Sequence, residues 1–295
     1  MTSTSAQPFK PLVGVRNYLE LVKFSHTIFA LPFAMASMLV AANGLPQFRI
    51  FAWILVAMVG ARTAAMGFNR IVDREIDARN PRTKNRELPS GKVTLPGAWA
   101  LVVVSSLLFC FAAGQINQLA LWLSPITLAV LFCYSFCKRF TSLSHFVLGL
   151  CLGIAPVGAW VATRGEIGIP SGALCAAVLF WVAGFDIIYA TMDVEFDREN
   201  GLNSMVRKLG VAKALNFAKI LHAAFIVNLI LFGVLAHLNV IFFGAIALIA
   251  AFLVYEHALV KPDDLRRVNA AFFTVNGAIA VFFLVAVALS VFVHV

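Results

Sequence analysis

Residues 69–86 read NRIVDREIDARNPRTKNR and directly follow the apolar stretch FAWILVAMVGARTAAMGF at 51–68. Asn69, Asp73 and Asp77 are spaced four residues apart, so on a helix they share one face. A hydrophobic helix therefore ends in two carboxylates that are surrounded by arginines. Acids at membrane depth are costly and usually functional, so this stretch is the first candidate site.

The composition is typical of a polytopic membrane protein. The 295 residues are 61% hydrophobic and 13% charged, whereas a soluble domain carries about 25% charged residues. The net charge of +9 lies in short loops between apolar segments, which indicates membrane topology and argues against nucleic-acid binding. The five cysteines and six histidines have no metal-ligand or disulfide spacing, so none receives such a role. We predict a single integral-membrane domain over 1–295, with about 1–20 as an N-terminal segment.

Nine apolar segments approach the length of about 20 residues that a membrane-spanning helix needs. The predicted spans are 22–42, 50–70, 96–114, 118–137, 145–163, 172–192, 214–236, 239–259 and 270–293. The first is the weakest, because polar residues dilute its start. With nine spans, most of the 23 Lys and Arg residues fall on the side of the N-terminus. This side, which also holds the acidic residues at the helix ends, is expected to be cytoplasmic.

The segment DIIYATMDVEFDRENG at 186–201 repeats the pattern of the first acidic motif. Tyr189, Asp193 and Asp197 stand at i, i+4 and i+8, and Asp186 lies earlier on the same helical stripe. Each motif follows an apolar helix and leads into a loop with basic residues. We interpret the two motifs as a weak internal repeat.

Two such motifs on facing helix ends have an evident chemical use. Mg²⁺ takes one or two carboxylates together with phosphate oxygens and water, so the two motifs would hold Mg²⁺ with a diphosphate between them. Basic residues nearby would contact the remaining phosphate oxygens. The alternative is that the acids are interfacial charges paired with Arg70 and Arg74, each three residues before an acid. The repetition of the motif on one side of the membrane favours the metal and diphosphate site.

The same stretches resemble the UbiA superfamily of intramembrane prenyltransferases. NRIVDREIDARNPRTKNRELPSG is similar to the first aspartate-rich motif of that family, and YATMDVEFDRENG is similar to the second. YSFCKRFTSLSHFVLGLCLGIAPVGAW and HTIFALPFAMASML resemble its 4-hydroxybenzoate polyprenyltransferase branch. The resemblance covers essentially the whole chain. It implies an all-α polytopic protein of the bacterial inner membrane, with nine transmembrane helices around a central cavity.

The resemblance also implies an activity and a role for each matching position. The activity is Mg²⁺-dependent transfer of a polyprenyl group from polyprenyl diphosphate to a ring carbon of 4-hydroxybenzoate, in ubiquinone or menaquinone biosynthesis. The expected metal ligands are Asn69, Asp73, Asp77, Asp193 and Asp197, of which the four acids are also the expected catalytic residues. The residues expected to bind the substrates or the diphosphate are Arg62, Asn69, Arg86, Tyr134, Lys138, Arg139, Asp186 and Tyr189. Many relatives have Asn-Asp where this chain has Asn69-Arg70, so one possible acidic ligand is missing.

The chemistry of the reaction suggests further roles. A phenol directs attack to its ortho carbon, and a carboxylate would take the ring proton, with Asp193 or Asp77 as candidates. Arg62 is a candidate to bind the carboxylate of the acceptor, or to pair with Asp186. Ser25 and His26 are candidates to line the substrate site.

Several alternatives remain open at the level of the sequence. A rival acceptor is 1,4-dihydroxy-6-naphthoate of a menaquinone route, which motifs that contact the shared diphosphate do not distinguish. More distant relatives in the same family farnesylate haem. A transporter with a cytoplasmic-side cation site is the alternative from another class, although transporters place such sites near the bilayer midplane. Cytidyl-diphosphate alcohol transferases also use DxxxD, but they need an upstream D-G-x-x-A-R that this chain lacks.

Overall fold

Long apolar segments satisfy their backbone polar groups inside a bilayer by forming helices. The computed structural model describes residues 17–22 and 29–293, and within these ranges it contains helices and no β-strand. The helices are α1 (Leu31–Ala42), α2 (Phe48–Val72), α3 (Arg74–Arg79), α4 (Leu95–Ile116), α5 (Gln118–Cys137), α6 (Ser144–Arg164), α7 (Ile169–Ala190), α8 (Val194–Glu199), α9 (Met205–Leu209), α10 (Val211–Leu235), α11 (Val240–Leu259) and α12 (Asn276–Phe292). A 3₁₀ turn at Thr191–Asp193 precedes α8, and a π-helical turn at Ala270–Val275 precedes α12.

Eight helices in the described part of the chain are long and apolar enough to cross a membrane. The first predicted span, 22–42, is different. Its helix α1 has 12 residues, about 18 Å at 1.5 Å per residue, against a hydrocarbon core of about 30 Å. A proline in the first turn of α1 marks the start of this helix. Residues 23–28, with the candidates Ser25 and His26, lie outside the described residues.

Helix α1 fills the centre of the bundle. Nine of its 12 residues are buried, and it packs against α6 and α12. Phe33 of α1 stacks on Phe283 of α12 with ring centroids 4.6 Å apart. The hydroxyl of Ser37 donates to the carbonyl oxygen of Pro156 in α6 at 2.6 Å. The expected nine-helix architecture is therefore built from eight spanning helices and one short central helix among the residues described.

Glycines bring α6 and α7 into backbone contact. A Cβ at Gly149 would lie 2.3 Å from the carbonyl oxygen of Leu179, and a Cβ at Gly153 would lie 2.7 Å from that of Cys175. Such close packing of small residues is a common basis of helix association in membranes. It sets the start of α6 beside the end of α7, where the second acidic motif begins.

Both acidic motifs bend at their middle acid, so neither motif lies on one uninterrupted helix. Asp73 separates α2 from α3 with φ −90° and ψ 0°, and Asp193 precedes α8 with φ −110° and ψ 5°. The hydrogen-bond register continues through the first bend, because the amide of Asp73 donates to Asn69 at 2.9 Å and that of Asp77 donates to Asp73 at 2.8 Å. Many active-site residues adopt this bridge conformation. The two motifs therefore share a bend at the same position. We call this end of the bundle, formed by the ends of α2 and α7 with α3 and α8, the acidic end.

Candidate active site

A cavity of about 610 Å³ lies at the acidic end. The predicted site residues that line it are Arg62, Asn69, Asp73, Asp77, Arg86, Tyr134, Lys138, Asp186, Tyr189, Asp193 and Asp197. Arg139 instead lines a neighbouring pocket beside Glu75 and Arg79. The two acidic motifs, which are far apart in the sequence, therefore meet at a single cavity.

Asp73 is the most enclosed acid of the first motif, with 3% of its surface exposed. Its Oδ2 accepts hydrogen bonds from the amide of Asn69 at 3.2 Å and from the ammonium of Lys138 at 2.6 Å. Its Oδ1 is also buried and accepts no hydrogen bond from any residue within the described ranges, while Nη1 of Arg139 lies 3.5 Å away. A buried carboxylate oxygen of this kind requires an explanation, and a bound cation is one.

Asp77 follows one helical turn later and is 4% exposed. Arg86 holds it, since Nη1 of Arg86 lies 2.8 Å from each of the two carboxylate oxygens. The hydroxyl of Thr83 donates to the backbone carbonyl of Asp77 at 3.0 Å, which fastens the loop after α3 to the motif. Arg86 thus neutralises Asp77 at the edge of the cavity.

Asp193, the middle acid of the second motif, is bound by the loop that follows the first motif. Arg82 donates from Nε to Oδ1 of Asp193 at 2.9 Å, from Nη2 to Oδ2, and from Nη1 to the hydroxyl of Tyr189 at 2.9 Å. The amide of Asn80 donates to the same Oδ1 at 3.2 Å. Burial by itself lowers the pKa of Arg82, but the hydrogen bond and the negative charge of Asp193 raise it, so this guanidinium is charged at neutral pH. The sequence predicts no individual role for Arg82, because its partner Asp193 lies 111 residues away.

Asp197 lies one turn beyond Asp193 on α8 and also lines the cavity. The backbone amide of Leu202 donates to the carbonyl oxygen of Asp197 at 2.9 Å, which holds the segment that leads to Ser204. The hydroxyl of Ser204 in turn accepts from the backbone amide of Arg207 at 3.2 Å and caps the start of α9. The second motif is therefore linked to the polar segment that leads into α10.

His145 is a site residue that had no predicted role. It is 3% exposed, and its Nδ1 lies 2.6 Å from Oδ2 of Asp186. The backbone amide of Met205 approaches its Nε2 at 3.3 Å. Because that amide is a donor, Nε2 accepts, and the ring proton lies on Nδ1 and is donated to Asp186. The contact joins the starts of α6 and α9 to the end of α7, and the sequence offers no spacing that would reveal it.

One side of the cavity is aromatic, and we call its five rings the aromatic wall. They belong to Phe29, Phe185, Tyr189, Phe272 and Phe273. The centroids of Phe272 and Tyr189 are 4.2 Å apart, and those of Phe272 and Phe185 are 5.2 Å apart. Such rings exclude water and present their negative faces to a cation.

The donor atoms at the acidic end fit Mg²⁺ together with a phosphate-bearing ligand. Within the described residues, no group of three or more His, Cys, Asp or Glu side chains is arranged to hold a metal ion by itself. Mg²⁺ does not require such a cage, because it usually takes one or two carboxylates and completes its octahedron with phosphate oxygens and water. The carboxylates here come from two motifs on one cavity, and one buried oxygen of Asp73 has capacity for a further partner. The predicted donor set is therefore compatible with the ion.

Comparison with known proteins identifies the family of this chain. The UbiA prenyltransferase family matches the chain over residues 30–292. The chain belongs to the UbiA prenyltransferase family. This chain is similar to a 4-hydroxybenzoate octaprenyltransferase of Photobacterium profundum, which is 26% identical over 95% of this chain and 98% of its own length. The predictions of the fold class and of a prenyltransferase are confirmed.

Solved structures show the same fold. The apo structure of a UbiA homologue from Aeropyrum pernix has a TM-score of 0.81 and 36% identity, and the match covers 89% of this chain and 96% of that one. A UbiA homologue from Archaeoglobus fulgidus bound to GPP and Mg²⁺ has a TM-score of 0.73 and 18% identity, over 92% of this chain and 99% of that one.

Proposed function

We propose that this UbiA-family enzyme transfers a polyprenyl group from a polyprenyl diphosphate to a ring carbon of 4-hydroxybenzoate, as a step of quinone biosynthesis. The observation that carries the proposal is the convergence of both acidic motifs, with their paired cations, on one cavity that has an aromatic wall. The name of the Photobacterium profundum relative supports this acceptor. The Archaeoglobus fulgidus homologue bound to GPP and Mg²⁺ supports the metal and the diphosphate.

The acidic residues would hold the metal from two sides. Asn69, Asp73 and Asp77 are the candidate ligands on one side, and Asp193 and Asp197 are those on the other. When bound, Mg²⁺ would neutralise the negative charge that develops on the leaving diphosphate. Asp73 is the first candidate, because its buried Oδ1 accepts no hydrogen bond from the described part of the chain.

The basic residues would bind the diphosphate directly. Lys138, Arg86 and Arg82 each contact a carboxylate at the edge of the cavity. With a diphosphate in the cavity, we expect these three side chains to share their charge with its oxygens, the arginines through two parallel bonds and the lysine as a compact charge. The ion pairs thus keep the cations ordered and pointed toward the position of the leaving group.

The aromatic wall would protect the reactive half of the donor. Loss of diphosphate leaves an allylic cation, and this cation must meet the electron-rich ring before it meets water. The rings of Phe185, Tyr189 and Phe272 lie beside the second acidic motif and line the cavity. They exclude water and stabilise positive charge by about 0.5–2 kcal/mol for each well-placed ring.

Asp186 with His145 is the best candidate to accept the ring proton. The earlier candidates, Asp77 and Asp193, are each engaged through both carboxylate oxygens by an arginine. Asp186 lines the cavity, and its hydrogen bond comes from the neutral ring of His145 at 2.6 Å. A carboxylate oriented by a histidine is a suitable general base for proton removal from carbon.

We further propose that the enzyme lies in a bacterial inner membrane with the acidic end in the cytoplasm. The segments that connect the spanning helices at this end carry most of the basic residues, including Arg79, Arg82, Lys138 and Arg207. Cytoplasmic loops of membrane proteins are enriched in Lys and Arg. A water-soluble acceptor and the diphosphate product would then enter and leave from the cytoplasm.

The test is a prenyl-transfer assay on the protein purified in detergent, with Mg²⁺ and a labelled polyprenyl diphosphate. 4-Hydroxybenzoate and 1,4-dihydroxy-6-naphthoate are offered separately. Asp73→Asn and Asp193→Asn are compared with Glu75→Gln and Glu195→Gln, which alter the exposed acid next to each motif acid. The side chains of Glu75 and Glu195 are 78% and 74% exposed, so they are matched controls two residues after each motif acid.

We expect a prenylated product with 4-hydroxybenzoate, activity of both controls near that of the wild type, and a loss of at least about 100-fold in each Asp variant. Product with the naphthoate alone would replace the proposed acceptor and keep the reaction class. A folded wild-type protein that makes no product with either acceptor would refute the proposal and reopen the haem and transporter alternatives.

A further inference from the structure

A buried polar network adjoins the aromatic wall through Trp181, whose ring packs on Phe185 with centroids 5.0 Å apart. Its members are Trp181 of α7, His222 of α10, Glu256 of α11 and Asn276 of α12, and each is at most 2% exposed. None of them lines the cavity, and polar groups at such depth in a membrane protein are costly unless they are bonded and used.

Asn276 is the centre of the network. Its Oδ1 accepts from the indole Nε1 of Trp181 at 2.7 Å, and because indole is only a donor, this contact fixes the orientation of the amide. The Nδ2 then donates to Oε1 of Glu256 at 2.8 Å and to the backbone carbonyl of Ala271 at 3.1 Å. Trp181 is held in turn by His222, whose Nε2 lies 3.3 Å from the Trp181 carbonyl oxygen.

The bond to Ala271 links the network to an unusual piece of backbone. Ala270–Val275 forms a π-helical turn directly before Asn276. π-Helical turns are rare, they disturb the normal i to i−4 bonding, and they are frequent at functional sites. The side chain of Asn276 binds a carbonyl group inside this turn, so the network stabilises the local widening of the helix.

The π-helical turn carries two residues of the aromatic wall. Phe272 and Phe273 lie at its centre and line the cavity. Phe272 packs on Tyr189 at 4.2 Å between centroids, and the hydroxyl of Tyr189 accepts from Arg82, which also holds Asp193. A continuous set of contacts therefore runs from the buried network through the wall to the second acidic motif.

We infer that Asn276 and Glu256 are positioning residues, which hold the π-helical turn so that Phe272 and Phe273 shield the allylic cation from water. This inference rests on the proposed prenyl transfer. A purely structural role for the network would lower the amount of folded enzyme without altering the fate of the cation. A positioning role changes that fate, because a displaced wall admits water and the prenyl alcohol forms in place of the prenylated ring.

The experiment measures two products for each variant: the prenylated acceptor and the prenyl alcohol that hydrolysis releases. Glu256→Leu removes the acceptor of the Asn276 amide, whereas Glu256→Gln keeps an oxygen at that position. Trp181→Phe is a second, milder variant that removes only the indole donor. Ser290→Ala is the matched control, since Ser290 is a buried polar residue of the same helix α12 and binds Asn239 outside the site.

We expect the ratio of hydrolysis to transfer to rise about tenfold in Glu256→Leu and in Phe272→Leu, because a displaced or smaller wall side chain lets water compete with the acceptor for the cation. We expect a smaller rise in Trp181→Phe and a ratio near that of the wild type in Glu256→Gln and Ser290→Ala. An unchanged ratio in folded Glu256→Leu and Trp181→Phe would overturn the inference.

A second readout separates this inference from the proposed function. Backbone hydrogen exchange over 270–276 needs no turnover, and it should accelerate in Glu256→Leu and Trp181→Phe but not in Ser290→Ala. Unchanged exchange in the first two variants would contradict a positioning role even if the enzyme is active. If the wild-type protein transfers no prenyl group while exchange still accelerates in Glu256→Leu and Trp181→Phe, the proposed function is refuted and the control of the π-helical turn by the network stands.

Discussion

Replacement of Arg82 by glutamine tests the link between the two acidic motifs. The change removes the paired bonds to Asp193 and the bond to Tyr189. One hydrogen bond to a charged group contributes about 1.5–3 kcal/mol. Because the side chain of Arg82 is 33% exposed, we take the lower part of this range. Arg82 is expected to make one such bond to the leaving diphosphate. Loss of that bond corresponds to a decrease of about 10- to 30-fold in kcat/KM.

The assay is steady-state prenyl transfer with varied polyprenyl diphosphate at saturating acceptor. Arg82→Lys keeps the charge but not the fork, so its decrease should be smaller, about three- to tenfold. Arg79→Gln is the control, because Arg79 precedes Arg82 in the same polar segment and lines the neighbouring pocket instead of the cavity. The reasoning is refuted if Arg82→Gln retains at least half of wild-type kcat/KM, or if Arg79→Gln loses as much.

Three further predictions address the proton, the metal and the packing. Asp186→Asn should lower kcat about 100-fold and His145→Gln about tenfold, with a larger isotope effect from a ring-deuterated acceptor in both; an unchanged isotope effect would exclude them from proton removal. Chelation of divalent metal should abolish transfer, and Mg²⁺ should restore it; full activity in excess chelator would contradict the metal site. Gly149→Ala should destabilise the fold by about 1–3 kcal/mol, because its Cβ would lie 2.3 Å from a carbonyl oxygen of α7. Gly158→Ala is the control, because its Cβ would meet nothing within 4 Å, and it should melt near the wild-type temperature in detergent.

Hydropathy and local spacing predict much of this molecule, because both depend on neighbouring residues. The apolar segments predict the eight spanning helices, and the spacing of Asp73 with Asp77 and of Asp193 with Asp197 predicts two acidic motifs at one cavity. The short helix α1 is harder to predict. The apolar run that contains it is long enough to span a membrane, but the helix itself has 12 residues and is buried by other helices.

The remaining features depend on contacts between distant segments. Arg82 reaches Asp193 across 111 residues, and His145 reaches Asp186 across 41. A single sequence shows only that Arg82 lies in a basic loop and that His145 begins an apolar helix. The π-helical turn before Asn276 also depends on a distant contact. Asn276 at the end of this turn hydrogen-bonds to Glu256 in another helix. Such partners are visible only once the helices are assembled.

The central claim is that both acidic motifs act on one diphosphate. Calorimetric binding of a non-hydrolysable polyprenyl thiodiphosphate, with and without Mg²⁺, tests it most directly in wild type, Asp73→Asn, Asp193→Asn and the double variant. We predict Mg²⁺-dependent binding at one site, weakened at least about tenfold by either substitution. The effect of the double variant should differ from the sum of the two, because residues that share one ligand are not independent. Wild-type affinity in either single variant would contradict the claim.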